Sequence, residues 1–134
     1  MPTYALSLLG REARSRMAET LPTGLRLGHL AVLGALAEHS GQSQRSLADA
    51  LAIHPTDLVA IVDDLLGRRL VSRDVDPEDR RRRRVQITAA GRRLVARATA
   101  ASQRVLDDIL TPLTTAERET VVRLLTAALR PLEG

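Results

Sequence analysis

The sequence predicts a mainly α fold whose β structure is confined to one hairpin, and three observations carry that expectation. Apolar residues recur at spacings of three and four through most of the chain, as the buried face of an α-helix requires. Only two short segments alternate in strand fashion with β-branched residues, Leu70-Val71-Ser72-Arg73 and Val85-Gln86-Ile87-Thr88. Between them lies a turn-forming Asp76-Pro77, then Glu78-Asp79 and five consecutive arginines, Arg80 to Arg84. Five adjacent guanidiniums repel one another and cannot share a packed interior, so a hairpin with a long cationic tip is expected.

The helices follow in order. Tyr4 to Leu21 places Leu6, Leu9, Ala13 and Met17 on one stripe, and Pro22-Thr23-Gly24 ends it. Leu27 to Glu38 carries Leu27, Leu30, Val32, Leu33, Leu36 and Ala37, a face wide enough to be buried, and Ser40-Gly41-Gln42 stops it. A short helix follows over Ser43 to Leu51, with Leu47, Ala48 and Leu51 inward. The fourth begins at Pro55, whose missing N–H costs nothing at a first helical position, and Asp57 complements its positive end. It runs to about Arg69 and buries Leu58, Ile61 or Val62, Leu65 and Leu66. After the hairpin, Thr88 is placed as the cap of a long helix from Ala89 to about Leu110. Thr114 and Glu117 form a capping-box pattern that opens a last helix through Leu129.

A short helix, a tight turn and a longer helix have the proportions of a helix-turn-helix, and the basic hairpin behind them makes it winged. The first, fifth and sixth helices have apolar stripes that this central lobe does not need. Interdigitation with a second copy is the economical way to cover them, against the alternative that they cover the central module of one chain. The 134 residues then form one domain, with a winged lobe over about 27–91 and dimerisation helices over about 3–21 and 92–132.

Charge narrows the function. All 20 basic residues are arginine, and Leu65 to Arg97 holds eleven of them against four acids, a net +7 where the whole chain has +4. A basic module in an otherwise acidic chain is the footprint of a polyanion binder. Tyr4 is the only aromatic residue, so base stacking is unavailable and duplex DNA is a better partner than single strands or RNA. Zero cysteines exclude a thiol sensor, a cysteine nucleophile and a cysteine zinc site. His29 and His39 have no companion at ligand spacing, so neither metal nor cofactor is expected. No nucleophile–base set or phosphate loop appears. Asp63 and Asp64 are adjacent on a helix and point about 100° apart, so they are no catalytic pair, and an enzyme is not expected. No apolar run approaches the roughly 20 residues that span a bilayer, and no basic segment and apolar core follow Met1, so a cytoplasmic location without membrane contact is expected.

Leu27 to Leu94 resembles the MarR family of bacterial transcription regulators. The residues that carry the resemblance are Gly41, Leu47-Ala48-Asp49-Ala50-Leu51, Val62-Asp63-Asp64-Leu65, Leu70-Val71-Ser72-Arg73, Asp76-Pro77-Glu78-Asp79-Arg80-Arg81 and Ile87-Thr88-Ala89-Ala90-Gly91. The resemblance implies a homodimer on a pseudo-palindromic operator, most often repressing, with the helix-turn-helix in the major groove and a wing arginine in the adjacent minor groove. It also implies release by a small anionic ligand held between the dimer helices and the DNA-binding lobe. One departure is Arg68-Arg69-Leu70, where the family commonly has Arg-Gly-Leu.

Individual roles follow. Of Arg80 and Arg81, one is expected to be held by carboxylates and the other to project into the minor groove, while Arg82 and Arg83 add phosphate contacts. Asp79 reads as a clamp, because a carboxylate repels phosphate. Asp63 is expected to pair with Arg73 or Arg80 and fix the wing against the recognition helix. His54, Thr56, Asp57 and Ala60 are the candidates for base edges, Asp57 having simple capping as its alternative. Gln44 and Arg45 are candidates for the DNA backbone. Arg14 and His29 are the candidates for an effector, against a purely structural role for each. The competing function is a non-specific architectural DNA binder, for which the wing alone would suffice.

Overall fold

The computed structural model describes residues 1–130. It comprises α1 (Pro2–Thr20), α2 (Leu27–Glu38), α3 (Gln44–Leu51), α4 (Pro55–Gly67), β1 (Val71–Val75), β2 (Arg83–Ile87), α5 (Ala89–Ile109) and α6 (Thr115–Leu129). Residues 131 and 132, placed in the last dimerisation segment from sequence, lie outside the described residues.

Polar caps set the helix starts, because the first N–H groups of a helix have no partner within it. Ser43 Oγ accepts from Ser46 N–H at 3.1 Å, and Thr88 Oγ1 accepts from Gly91 N–H at 3.1 Å. Thr114 and Glu117 form the expected reciprocal box, at 3.2 and 2.9 Å. At α4 the cap is the imidazole of His54, whose Nδ1 accepts from Thr56 N–H at 3.1 Å.

The main core lies where α2, α3 and α4 meet the inner face of the hairpin. Val32, Leu33, Leu36, Leu47, Leu58, Val62, Leu65 and Val85 are all essentially removed from solvent. Helix α5 extends this core, packing on α2 and on the C-terminal part of α1 through Leu94, Ala98 and Val105, with Met17 opposite.

The hairpin is longer-stemmed than the sequence suggested. β1 and β2 are antiparallel in the register Val71↔Ile87, Arg73↔Val85 and Val75↔Arg83, so Arg83 and Arg84 belong to the stem and the tip shrinks to Asp76–Arg82. A third, one-residue rung was not foreseen. Gln42, in the loop before α3, bridges to Val85: Val85 N–H donates to Gln42 O at 2.7 Å, and Gly41 N–H donates to Val85 O at 3.0 Å. Gly41, expected as the stop of α2, has φ +81° and turns the chain onto β2.

The end of α4 explains the departure at Arg69. Arg69 adopts φ +60°, the left-handed conformation that favours glycine, and its N–H donates to Leu66 O at 3.1 Å. The tight exit from α4 is therefore kept without the glycine, at the cost of backbone strain.

Two stretches stay uncovered. Only Met17 of α1 is buried, while Tyr4, Leu6 and Leu9 face solvent, and no residue of α6 is buried. Val122, Leu124, Leu125 and Leu129 are exposed along α6.

Candidate nucleic-acid interface

The wing tip is built by its acids. Asp76 Oδ1 accepts from Glu78 N–H at 2.9 Å and Asp79 Oδ1 from Arg81 N–H at 3.0 Å, side-chain turns of the kind aspartate favours. Asp76 N–H then closes the loop onto Arg82 O at 2.9 Å. Asp79 is thus committed to the shape of the tip.

The arginine run divides into two classes. Arg84 donates from Nε and Nη2 to the two carboxylate oxygens of Asp74, its cross-strand neighbour, both at 3.2 Å. That fork holds the Asp74 carboxyl below its usual range, through the hydrogen bond first and the guanidinium charge second. Arg82 Nε lies 3.7 Å from Asp79 Oδ2, an exposed pair of little energetic weight. Arg80, Arg81 and Arg83 are exposed and make no ion pair among the described residues. The expectation that a carboxylate holds Arg80 or Arg81 is therefore corrected. The paired arginines are Arg82 and Arg84, because strand register brings Asp74 to Arg84 and the tip turns Asp79 toward Arg82.

Arg73 ties the wing to the helix-turn-helix. Its Nη2 donates to Gln44 Oε1 at 2.7 Å and lies 3.7 Å from Asp63 Oδ1, so one guanidinium on β1 touches both α3 and α4. Of the two partners offered for Asp63, Arg73 is the one in reach. Gln44 spends its side-chain oxygen on this contact, whereas Arg45 beside it is exposed.

The faces of α4 separate its candidates. Leu58, Val62 and Leu65 point into the core, Thr56, Ala60 and Asp63 form the exposed line opposite, and Val59 lies exposed at the edge of that face. Asp57 sits on a flank. With Ala60, Ile61 and Asp64 it borders a cleft of about 410 Å³ against the start of α2, next to Arg26 and His29. The residue that sequence reasoning missed is Val59, which lies at the edge of the exposed face with 45% of its surface free. Its signal was a large apolar residue about 90° from the Leu58, Val62 and Leu65 stripe.

The two effector candidates do not meet. His29 is buried and fully engaged: its Nδ1 accepts from Arg26 N–H at 3.2 Å, and its Nε2 faces Asp64 Oδ2 at 2.9 Å. Arg68 completes the network, donating from Nε to Asp64 Oδ1 at 3.2 Å and from Nη2 to Thr23 O at 2.7 Å. The Arg68 hydrogen bond and charge, with a smaller contribution from His29, hold the Asp64 carboxyl below its usual range. His29 is thus a tie between α2 and α4 with no nitrogen left for a ligand. Arg14 lies elsewhere, lining a groove of about 350 Å³ between α1 and α2 with Arg11, Leu21, Leu25, Arg26 and Leu27. Among the described residues no group of three or more His, Cys, Asp or Glu side chains could hold a metal. No described helix is long and apolar enough to cross a membrane.

Comparison with known proteins agrees with this geometry. The MarR family model matches residues 23–82, from the turn before α2 through the wing tip. The transcriptional regulator HosA of Escherichia coli O111:H- is 31% identical over 121 residues, covering 90% of this chain and 89% of the relative. Bordetella bronchiseptica BpsR, whose DNA binding is regulated by 6-hydroxynicotinic acid, superposes with a TM-score of 0.81 at 26% identity, over 96% of this chain and 92% of its own. The Mycobacterium tuberculosis MarR family protein Rv2887, solved in complex with DNA, gives 0.76 at 25% identity, over 94% and 95%. With six helices and one wing among the described residues, and with these relatives, the chain belongs to the MarR family of transcriptional regulators.

Proposed function

We propose that the chain is a sequence-specific duplex-DNA binder that acts as a homodimer on a pseudo-palindromic operator, represses there, and catalyses no reaction. The observation that carries this reading is the pairing of three unneutralised arginines at one end of the wing, Arg80, Arg81 and Arg83, with an exposed line on α4 held beside it by Arg73. A helix in the major groove and an arginine tip in the neighbouring minor groove are the two contacts such a lobe can make together. Arg82 and Arg45 add phosphate contacts, and Gln44 and Asp63 serve through Arg73. His54 caps α4 through Nδ1 and keeps Nε2 for the DNA.

The dimer is supported by the apolar residues left open on α1 and α6. Tyr4, Leu6, Leu9, Val122, Leu124, Leu125 and Leu129 are at least 40% exposed, much apolar surface for a monomer to leave in water. Symmetric closure of these helices would set two recognition helices about one turn of DNA apart. The regulation of BpsR by an organic acid supports release by a small anion. In this chain the Arg11, Arg14 and Arg26 groove supplies the positive lining that such a ligand needs, and we place it there instead of at His29.

The test is the double substitution Arg80→Ala/Arg81→Ala. Removing both guanidiniums should weaken operator binding at least roughly tenfold and lower the salt dependence of the affinity. Binding equal to wild type would refute the wing's role.

A further inference from the structure

The exposed line of α4 is unusual in what it lacks. Asp63 lies 3.7 Å from Arg73, and Asp57, Ala60 and Asp64 border the cleft with α2; beside these acids the exposed uncharged side chains are Thr56, Val59 and Ala60. None of these can make the two-pronged hydrogen bonds by which arginine reads guanine or asparagine and glutamine read adenine. What they present is methyl groups, two from Val59, one from Ala60 and one from Thr56. A lone exposed valine on a protein surface needs no explanation. This one stands at the edge of the exposed face of α4, one turn from Thr56 and next to Ala60, with 45% of its surface free.

We propose that Val59 is a specificity-determining residue that reads the C5-methyl of thymine in the major groove, with the methyls of Thr56 and Ala60 beside it. The inference rests on the operator-binding reading and gives it chemical content. Each half-site is specified on its major-groove side by thymine methyls, and on its minor-groove side by the narrow groove that A·T pairs form and arginine prefers. Guanine in register with Val59 would present N7 and O6 with no donor to meet them, and is rejected.

The experiment starts from the DNA sequence that the full-length protein selects from a random duplex pool at near-physiological salt. Each thymine of the selected half-site is then replaced by deoxyuridine, which removes the methyl and nothing else. Wild type should lose about fourfold in affinity at one or two thymines, the worth of one buried methyl group. Val59→Ala should bind the unmodified site more weakly and show no further loss when those thymines become deoxyuridine. Val59→Thr, which keeps one methyl and the branched shape, should retain part of the sensitivity, and both variants should keep the wild-type melting temperature because residue 59 is exposed. Affinity unchanged by deoxyuridine at every thymine, or a loss that persists equally in Val59→Ala, overturns the inference while leaving the regulator reading intact. A pool from which no sequence is enriched overturns that reading, and the inference with it.

Discussion

Gly91→Ala tests whether the junction of the wing and α5 is as tight as it looks. A Cβ built at Gly91 would stand 2.2 Å from Leu70 O and 2.7 Å from Ile87 Cγ1. Restoring a normal separation requires the first turn of α5 to retreat by ~1 Å in an interior packed too closely to absorb it. Three hydrogen bonds share that point: Thr88 N–H to Leu70 O at 3.1 Å, Thr88 Oγ1–H to Arg69 O at 2.9 Å, and Gly91 N–H to Thr88 Oγ1 at 3.1 Å. Losing one or two of them costs about 1–3 kcal/mol. Overpacking against Ile87 costs about 1–3 kcal/mol, and the better helix propensity of alanine returns about 1 kcal/mol. The net expectation is a loss of about 3 kcal/mol, or roughly 10 °C in melting temperature for a chain of this size. Gly67→Ala is the control, since its added Cβ meets nothing within 4 Å in α4 and should be neutral or stabilise by up to about 1 kcal/mol. Urea and thermal unfolding followed by circular dichroism at one fixed protein concentration would measure both, because dimerisation makes stability concentration-dependent. A Gly91→Ala protein as stable as wild type would refute the packing argument.

Three further outcomes follow from the same geometry. Arg69→Gly should raise stability by about 0.5–1 kcal/mol, the relief of left-handed strain at φ +60° less the entropy of glycine, read as a shift in urea midpoint. Arg73→Ala should weaken DNA binding by loosening β1 from Gln44 and Asp63 while leaving the salt slope of binding unchanged; Arg83→Ala, at a side chain with no ion pair among the described residues, should reduce that slope by about 1. Asp74 has a depressed folded pKa, so its contribution to stability is fully present above the unfolded carboxylate value of about 3.9 and is lost as pH falls through the lower folded value. The stability difference between wild type and Asp74→Asn should therefore be flat from about pH 5 to 8 and shrink below about pH 4.

Local chemistry made much of this legible in the sequence. The caps at Thr88 and Thr114 and the proline at the start of α4 act over four residues or fewer, and periodicity located the six described helices to within a few residues. What escaped depends on distance along the chain or on phase. The Gln42–Val85 rung is one residue long and has no period to detect. The His29–Asp64 contact joins positions on two helices whose packing angle no pattern reveals. Pairing of Arg84 with Asp74 follows from register, which an expected tip reaching to Arg84 concealed. Helix phase counted from Leu58, Val62 and Leu65 puts Asp57 and Val59 about 100° to either side of the core stripe. The base-edge candidates named from sequence included one apolar side chain, Ala60, and passed over Val59 one position before it.

The central claim is that this chain recognises a specific duplex sequence as a symmetric dimer. Selection of bound fragments from its own genome at near-physiological salt, followed by sequencing, tests it most directly. An enriched inverted repeat with half-sites about one helical turn apart is the predicted result. Uniform recovery of fragments, with affinity set by salt alone, would contradict it and leave a non-specific DNA-binding protein in its place.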